Sequence, residues 1–340
     1  MTTTTPTTTT EAEATSPAAA PAPPKLRTRT LGATGLEVSE LALGTWGLTG
    51  EAYGPVTDAD ADATIARAVE LGITLFDTAS AYGRGAMESR LGRLLAPVKD
   101  STYVITRVGV DRGAEPPRKR FEVAWLRDAI DAAQERLDRP ILDVVMLHNP
   151  TVGVLVRPEV VAFLDELTRQ KRVRAWGVSA GDSEVGRVAL QIGAPVLSMP
   201  YNALISTDLH AIIGDVASQK CGLVVHSVLA YGFLAGLWHT TKVFAEGDHR
   251  RDRWTPEELI VRSKQLEAVR ALIGGDVHTL RSAAVRYVLS NQLVHSAILG
   301  PRNVAQLEQL VREAGKGPPY LSDERLSLLP TRLADLGLLP

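Results

Sequence analysis

TDADADATIARAVELG (57–72) runs directly into ITLFDTA (73–79). The first stretch offers Thr and Asp as caps, apolar residues at helical spacing and a closing glycine, which together predict an amphipathic helix. The second is a short apolar run and reads as a strand. The alternation continues downstream. MESRLGRLL (87–95) is helical, TYVITRV (102–108) strand-like, FEVAWLRDAIDAAQERLD (121–138) a long amphipathic helix and ILDVVMLH (141–148) a strand. Helices near 157–170, 183–192, 207–219, 278–290 and 303–313 then interleave with VRAWGVS (173–179), PVLSM (195–199), GLVVHS (222–227) and HSAILG (295–300). Upstream, LALGTW (41–46) supplies the first strand, and LGATGLEV (31–38) places glycines between apolar flanks as a small hairpin does. The last segment, LSDERLSLLPTRLADLGLLP (321–340), reads as a C-terminal helix. Strands this apolar are covered on both faces, as in a parallel sheet wrapped by helices. Eight such units predict an α/β fold, a (β/α)8 TIM barrel with an N-terminal hairpin and a C-terminal helix. A doubly wound sheet would carry a G-x-G-x-x-G turn after its first strand, and none follows here. The stretch 237–275 is longer than a barrel connection needs and reads as an excursion over one end.

Composition narrows the function classes. The chain has 340 residues, 45% hydrophobic and 22% charged, with 37 Lys and Arg against 39 Asp and Glu. Without a basic surplus to neutralise phosphates, nucleic acid is a poor partner. The single cysteine, Cys221, excludes an intramolecular disulfide and a cysteine-rich zinc site, and reads as an inert buried thiol. His210, His239, His249, His278 and His295 show no metal-ligand spacing, so no metal is expected. Residues 1–25, rich in Thr, Ala and Pro, bury too little to offset their ordering entropy; disorder is expected there, followed by a single barrel over 26–340. That segment lacks the basic and apolar regions of a secretory signal. GLVVHSVLAYGFLAGLW (222–238) falls short of the ~20 apolar residues a span needs, so no membrane is expected and the cytoplasm is the default compartment. The charged GDHRRDR (247–253) reads as a solvated loop, with closure over a bound ligand as the alternative.

Barrel sites lie at the C-terminal strand ends. Those ends here are Gly44, Thr45 and Trp46; Asp77, with Tyr82 beyond; Thr106 and Arg107; His148 and Asn149; Ser179; Ser198; His226 and Ser227; and Gly300, before Arg302 and Asn303. Singly, Asp77 has a reading as a cap, Tyr82 as a loop aromatic, Arg107 as a surface ion-pair partner and His148 as a core histidine. Together, at adjacent strand ends, they form a proton-donating set. A fixed cation stabilises phenolate and lowers a phenol's pKa toward neutrality, where proton transfer is more effective. Asp77 would hold that cation, and His148 would donate to a substrate oxygen. Trp46 and Tyr53 follow strand one and are candidate substrate contacts, as is Asn149.

LGATGLEVSELALGTW, FDTASAYG, the LHNP after strand four, WGVS, PYN and AILGPRNVAQLE together resemble the aldo-keto reductase family over about Thr30 to Glu313. The resemblance implies a (β/α)8 barrel that binds NADPH, sometimes NADH, and acts on a small-molecule carbonyl substrate. The family's Asp–Tyr–Lys–His tetrad falls on Asp77, Tyr82, Arg107 and His148, with Tyr82 as general acid and His148 orienting the carbonyl. Arg107 stands where the family has Lys; it supplies charge and a fork that would grip Asp77 bidentately, but sheds no proton near neutral pH. The cofactor positions implied by the resemblance are Thr45, Ser179, Ser198, His226, Ser227, Leu229, Gly300, Arg302, Asn303 and Gln306. Several depart from the family. Ala180 follows Ser179 in place of Asn, Ser198 replaces Gln, His226 replaces the aromatic that stacks on nicotinamide, Val228 replaces Pro, and Leu310 replaces Asn. Arg302 would favour a 2′-phosphate and hence NADPH. The reading that follows is an NADPH-dependent carbonyl reductase. Its alternatives are different chemistry on the same barrel, such as enoyl reduction or a non-redox elimination or isomerisation, and a catalytically impaired NADPH-binding regulatory protein.

Overall fold

The computed structural model describes residues 26–238, 241–251 and 253–338; the stretch 1–25, for which the sequence predicts disorder, lies outside them. Eight parallel strands close on themselves in chain order: β1 (Leu41–Gly44), β2 (Leu75–Ala79), β3 (Tyr103–Val108), β4 (Leu142–His148), β5 (Val173–Ser179), β6 (Val196–Pro200), β7 (Gly222–His226) and β8 (Ser296–Leu299). Outside them lie α1 (Asp58–Glu70), α2 (Ala86–Leu95), α3 (Val123–Leu137), α4 (Pro158–Arg169), α5 (Ser183–Gln191), α6 (Ile213–Ser218), α7 (Pro256–Val269), α8 (Leu280–Ser290), α9 (Val304–Ala314) and α10 (Asp323–Asp335). The helix expected over 207–219 is two pieces, Thr207–His210 and α6, separated by Ile212 at φ −127°, outside the helical region.

Period-two alternation decides which side chains enter the barrel. Leu75, Ile105, Val144, Met146, Val196 and Val224 pack in the interior with the N-terminal hairpin residues Leu31, Leu36 and Val38. Two residues further along five of the strands, the same inward-facing row becomes polar: Asp77 after Leu75, Arg107 after Ile105, His148 after Met146, Ser198 after Val196, and His226 after Val224. The hairpin pairs Thr28–Thr30 with Glu37–Ser39 and plugs the lower end. Ala33 N donates to Lys220 O at 2.9 Å, and a Cβ on Gly32, at φ +53°, would lie 2.3 Å from Gly222 N, so only glycine lets the turn sit this close. With the lower end plugged, the C-terminal rim is the end that opens to solvent. Thr57 caps α1 as the sequence predicts, accepting from Asp60 N, and Asp182 and Asn303 cap α5 and α9 in the same way, accepting from Val185 N and Gln306 N.

Candidate active site

A cavity of about 730 Å³ opens at this rim. Asp77, Tyr82, Arg107 and His148 all line it. Asp77 and Arg107, 5% and 6% exposed at the side chain, form a buried ion pair with Nη2 to Oδ2 at 2.9 Å. Nε donates to the same oxygen at 3.1 Å, so the fork closes on one carboxylate oxygen and the two-oxygen grip expected from the sequence is not made. Nη2 also donates to Ser198 Oγ, 3.2 Å away across the barrel. The Tyr82 and His148 rings meet edge to face with centroids 6.1 Å apart.

Electrostatics corrects one sequence expectation. Burial drives the Tyr82 phenol up to about 12, and the nearby Arg107 guanidinium pulls it down by less. Tyr82 is therefore firmly protonated at neutral pH rather than poised near it. Burial also raises the Asp77 carboxyl, against the pull of Arg107. For Arg107, burial acts against the charge, but Asp77 and Tyr82 outweigh it and leave the guanidinium more basic than usual. Burial, reinforced by Arg107, pushes His148 and His226 each down to about 3, so both are neutral imidazoles at physiological pH. His148 Nδ1 is buried with no hydrogen-bond partner.

The cavity extends from these groups along β7 and β8, past His226, Ser227, Leu229, Gly300, Arg302 and Gln306. Trp46, Tyr53 and Asn149 line it as well. Four residues expected at the cofactor are elsewhere. Thr45 is buried and donates to Asp77 O at 3.0 Å, because it follows the last residue of β1 and faces the neighbouring strand. Ser179 is buried and donates to Asn149 Oδ1 at 3.0 Å. Ser198 is screened by Arg107. Asn303 spends its side chain on capping α9. Arg302 lines the cavity with its Nη2 on the carbonyls of Gly54 and Pro55, and its Nε is buried without a partner.

The excursion over one end that the sequence predicts for 237–275 supplies Trp238, Arg250 and Arg253 to the cavity lining and forms its roof. Within GDHRRDR, Gly247, Arg251 and Arg253 are exposed as in a solvated loop, but Asp248 is buried and His249 and Arg250 are half-buried over the cavity. His249 N donates to Ala52 O at 3.0 Å, which ties the excursion after β7 to the loop after β1. The His249 ring sits 4.6 Å from both Trp46 and Tyr53 and 5.4 Å from Tyr231. Asp248 holds Arg250 through Nε at 2.9 Å and Nη2 at 2.5 Å, and the guanidinium lies over Tyr53 and Phe244. Arg253 stacks on Tyr231 at 3.6 Å, and both arginines line the cavity. Neutralisation by Asp248 and cover from aromatic faces take Arg250 partly out of the solvent that the charge run suggests. The excess of aromatic residues among 231–254 was the available signal.

The profile of the Aldo/keto reductase family matches residues 40–317. The chain belongs to this family. An L-galactose dehydrogenase of Arabidopsis thaliana is 28% identical over 302 residues, covering 84% of this chain and 88% of that protein. A pyridoxal 4-dehydrogenase of Microbacterium luteolum is 26% identical over 325 residues, covering 83% and 91%. A glycerol dehydrogenase structure from Gluconobacter oxydans shares the fold, with a TM-score of 0.78 at 24% identity over 93% of this chain and 96% of that one. Among the described residues no helix is long and apolar enough to cross a membrane, and no group of three or more His, Cys, Asp or Glu is placed to hold a metal ion.

Proposed function

We propose that this aldo-keto reductase family oxidoreductase uses NADPH to reduce a small aldehyde or ketone to the alcohol, with Tyr82 as general acid. The observation that carries the reading is the meeting of Asp77, Tyr82, Arg107 and His148 in the lining of one cavity. The residues present fit a nicotinamide dinucleotide. The cavity is continuous from Tyr82 to Gln306, and the unpartnered Nε of Arg302 marks a donor edge awaiting an anion. Ser227, Leu229, Gly300, Arg302 and Gln306 would hold the dinucleotide, with His226 against the nicotinamide and Arg302 favouring a 2′-phosphate. Bound there, the reduced nicotinamide supplies the hydride.

This chain's residues manage the proton. Tyr82 is held protonated by burial and gives its proton to the oxygen as negative charge develops there. The fixed positive charge of Arg107 then stabilises the phenolate left behind. Arg107 keeps its own proton throughout, so Tyr82 is recharged from water and not through Arg107. His148 is neutral and offers a ring N–H to orient the carbonyl. The cavity wall formed by Trp46 and Tyr53 is where the rest of the substrate would sit.

The test is a fluorescence titration with NADPH and with NADH, followed by turnover against a panel of aldehydes and ketones. Quenching or enhancement on NADPH binding together with carbonyl turnover is expected. Absence of dinucleotide binding overturns the reading; tight binding with no carbonyl reduced transfers it to enoyl reduction or to a regulatory role.

A further inference from the structure

Ser198 is fully buried on β6, and its Oγ lies 3.2 Å from Nη2 of Arg107 on β3. The guanidinium thus spans the barrel interior between two strands that are not neighbours. Its Nε and Nη2 edge is occupied by Asp77 Oδ2 and Ser198 Oγ, while Arg107 lines the cavity beside Tyr82. Two acceptors on different strands fix the plane of a fork that one carboxylate oxygen would leave free to swing. The site also sets a size limit. A side chain longer than Ser at 198 would occupy the space the guanidinium tip uses, in an interior that tolerates little overpacking.

We propose that Ser198 is a positioning residue that aims the Arg107 guanidinium at Tyr82 by accepting from Nη2 across the barrel. The role rests on Tyr82 being the group whose ionisation matters. The charged and titratable groups acting on Tyr82 are Arg107, Asp77 and Arg112, with His148 packed edge to face against it. Of these, Arg107 is the one that Ser198 touches. Lysine at 107 would end one bond short of Nη2 and lose the Ser198 contact while keeping Asp77. That makes the two positions a coupled pair.

The test is a cycle of Ser198→Ala, Arg107→Lys and the double variant, read two ways. The first is steady-state kinetics. Ser198→Ala is expected to lower kcat about tenfold, the loss of one charge-assisted hydrogen bond, with the KM for carbonyl within about twofold because Ser198 is screened from the cavity. In the Arg107→Lys background the same change is expected to do nothing. The second is nitrogen NMR of the Arg107 side chain in the protein without cofactor, assigned by its absence in Arg107→Lys. Separate Nη signals in the native protein are expected to merge in Ser198→Ala as the fork gains rotation. Merged Nη signals in the native protein, or an equal kcat loss from Ser198→Ala in both backgrounds, overturns the proposal. If no carbonyl is turned over at all, the functional reading fails, and the NMR arm still decides whether Ser198 positions Arg107.

Discussion

The rim at β2 to β4 and the roof from the β7 excursion are built by different physics. At the rim, functional groups grow from strands: the Asp77–Arg107 pair is 5% and 6% exposed, and each partner continues an inward-facing row whose lower members form the barrel core. At the roof, Trp46, Tyr53, Tyr231, His249 and Arg253 come from loops and hold one another through ring contacts and cation–π stacking. The first kind of site is over-determined by the sheet. The second is a cover of loops laid on the scaffold and anchored to its core through Phe233 and Leu234, as binding loops on a rigid frame commonly are. Damage to the rim should therefore strike chemistry and folding together, while damage to the roof should strike binding alone.

The largest effect separates the two regions most sharply. Tyr82→Phe removes one oxygen from the rim and leaves the ring contact with His148. It is expected to lower kcat by about 10²–10⁴-fold with unchanged NADPH affinity, measured by single-turnover kinetics and fluorescence titration. A loss under tenfold would deny Tyr82 the role of acid. Asp77→Asn comes next and probes the rim's structural half. It strands the Arg107 charge in the barrel interior and is expected to destabilise the fold by about 3–5 kcal/mol in a denaturant titration, as breaking one side of a buried pair does. A value near that of a surface change would mean water reaches Arg107 freely.

The two regions were also unequally readable from the chain. Asp77, Arg107 and His148 were legible because a period-two strand fixes which residue enters the barrel, and the strand end fixes its height. Ser198 was legible as an inward group, but its partner was not, since Nη2 of Arg107 reaches it across 91 positions of sequence. The protonation of Tyr82 was misjudged because the sequence shows the neighbouring cation but not the depth of burial, and burial is the larger influence. The roof was legible as an excursion over one end of the barrel, but its contacts were not. GDHRRDR looks hydrated until Asp248, Phe244 and Tyr53 are brought to Arg250; the first two are local, but Tyr53 lies nearly 200 positions upstream and no local pattern encodes its arrival.

Acid stability is the third probe, and again it belongs to the rim. His148 and His226 titrate near 3 in the folded chain, below the ~6.5 of an unfolded one. A depressed folded value contributes stability that is present above the unfolded pKa and lost as pH falls toward the folded one. Between about pH 6.5 and 3 each imidazole should cost up to about 1.4 kcal/mol per pH unit. The raised Asp77 carboxyl acts in the opposite sense, so the comparison is best made between variants. Unfolding free energies measured at pH 7 and pH 5 should converge in His226→Asn relative to the native protein. An unchanged pH slope would show that His226 is already solvated.

The smallest effect tests the roof. His249→Ala deletes the ring shared by Trp46, Tyr53 and Tyr231 but keeps the backbone bond from residue 249 to Ala52. Aromatic pairs of this kind contribute about 0.5–1.5 kcal/mol each beyond their buried area. Since they tie cover to cover and not cover to core, their loss should appear in the population of closed roof rather than in global unfolding. The KM for a carbonyl substrate is expected to rise about fivefold, with kcat within about twofold and the thermal midpoint nearly constant. A drop in thermal midpoint comparable to that of Asp77→Asn would erase the distinction between rim and roof, because it would mean the excursion after β7 is part of the barrel's own cooperative unit and not a lid laid upon it.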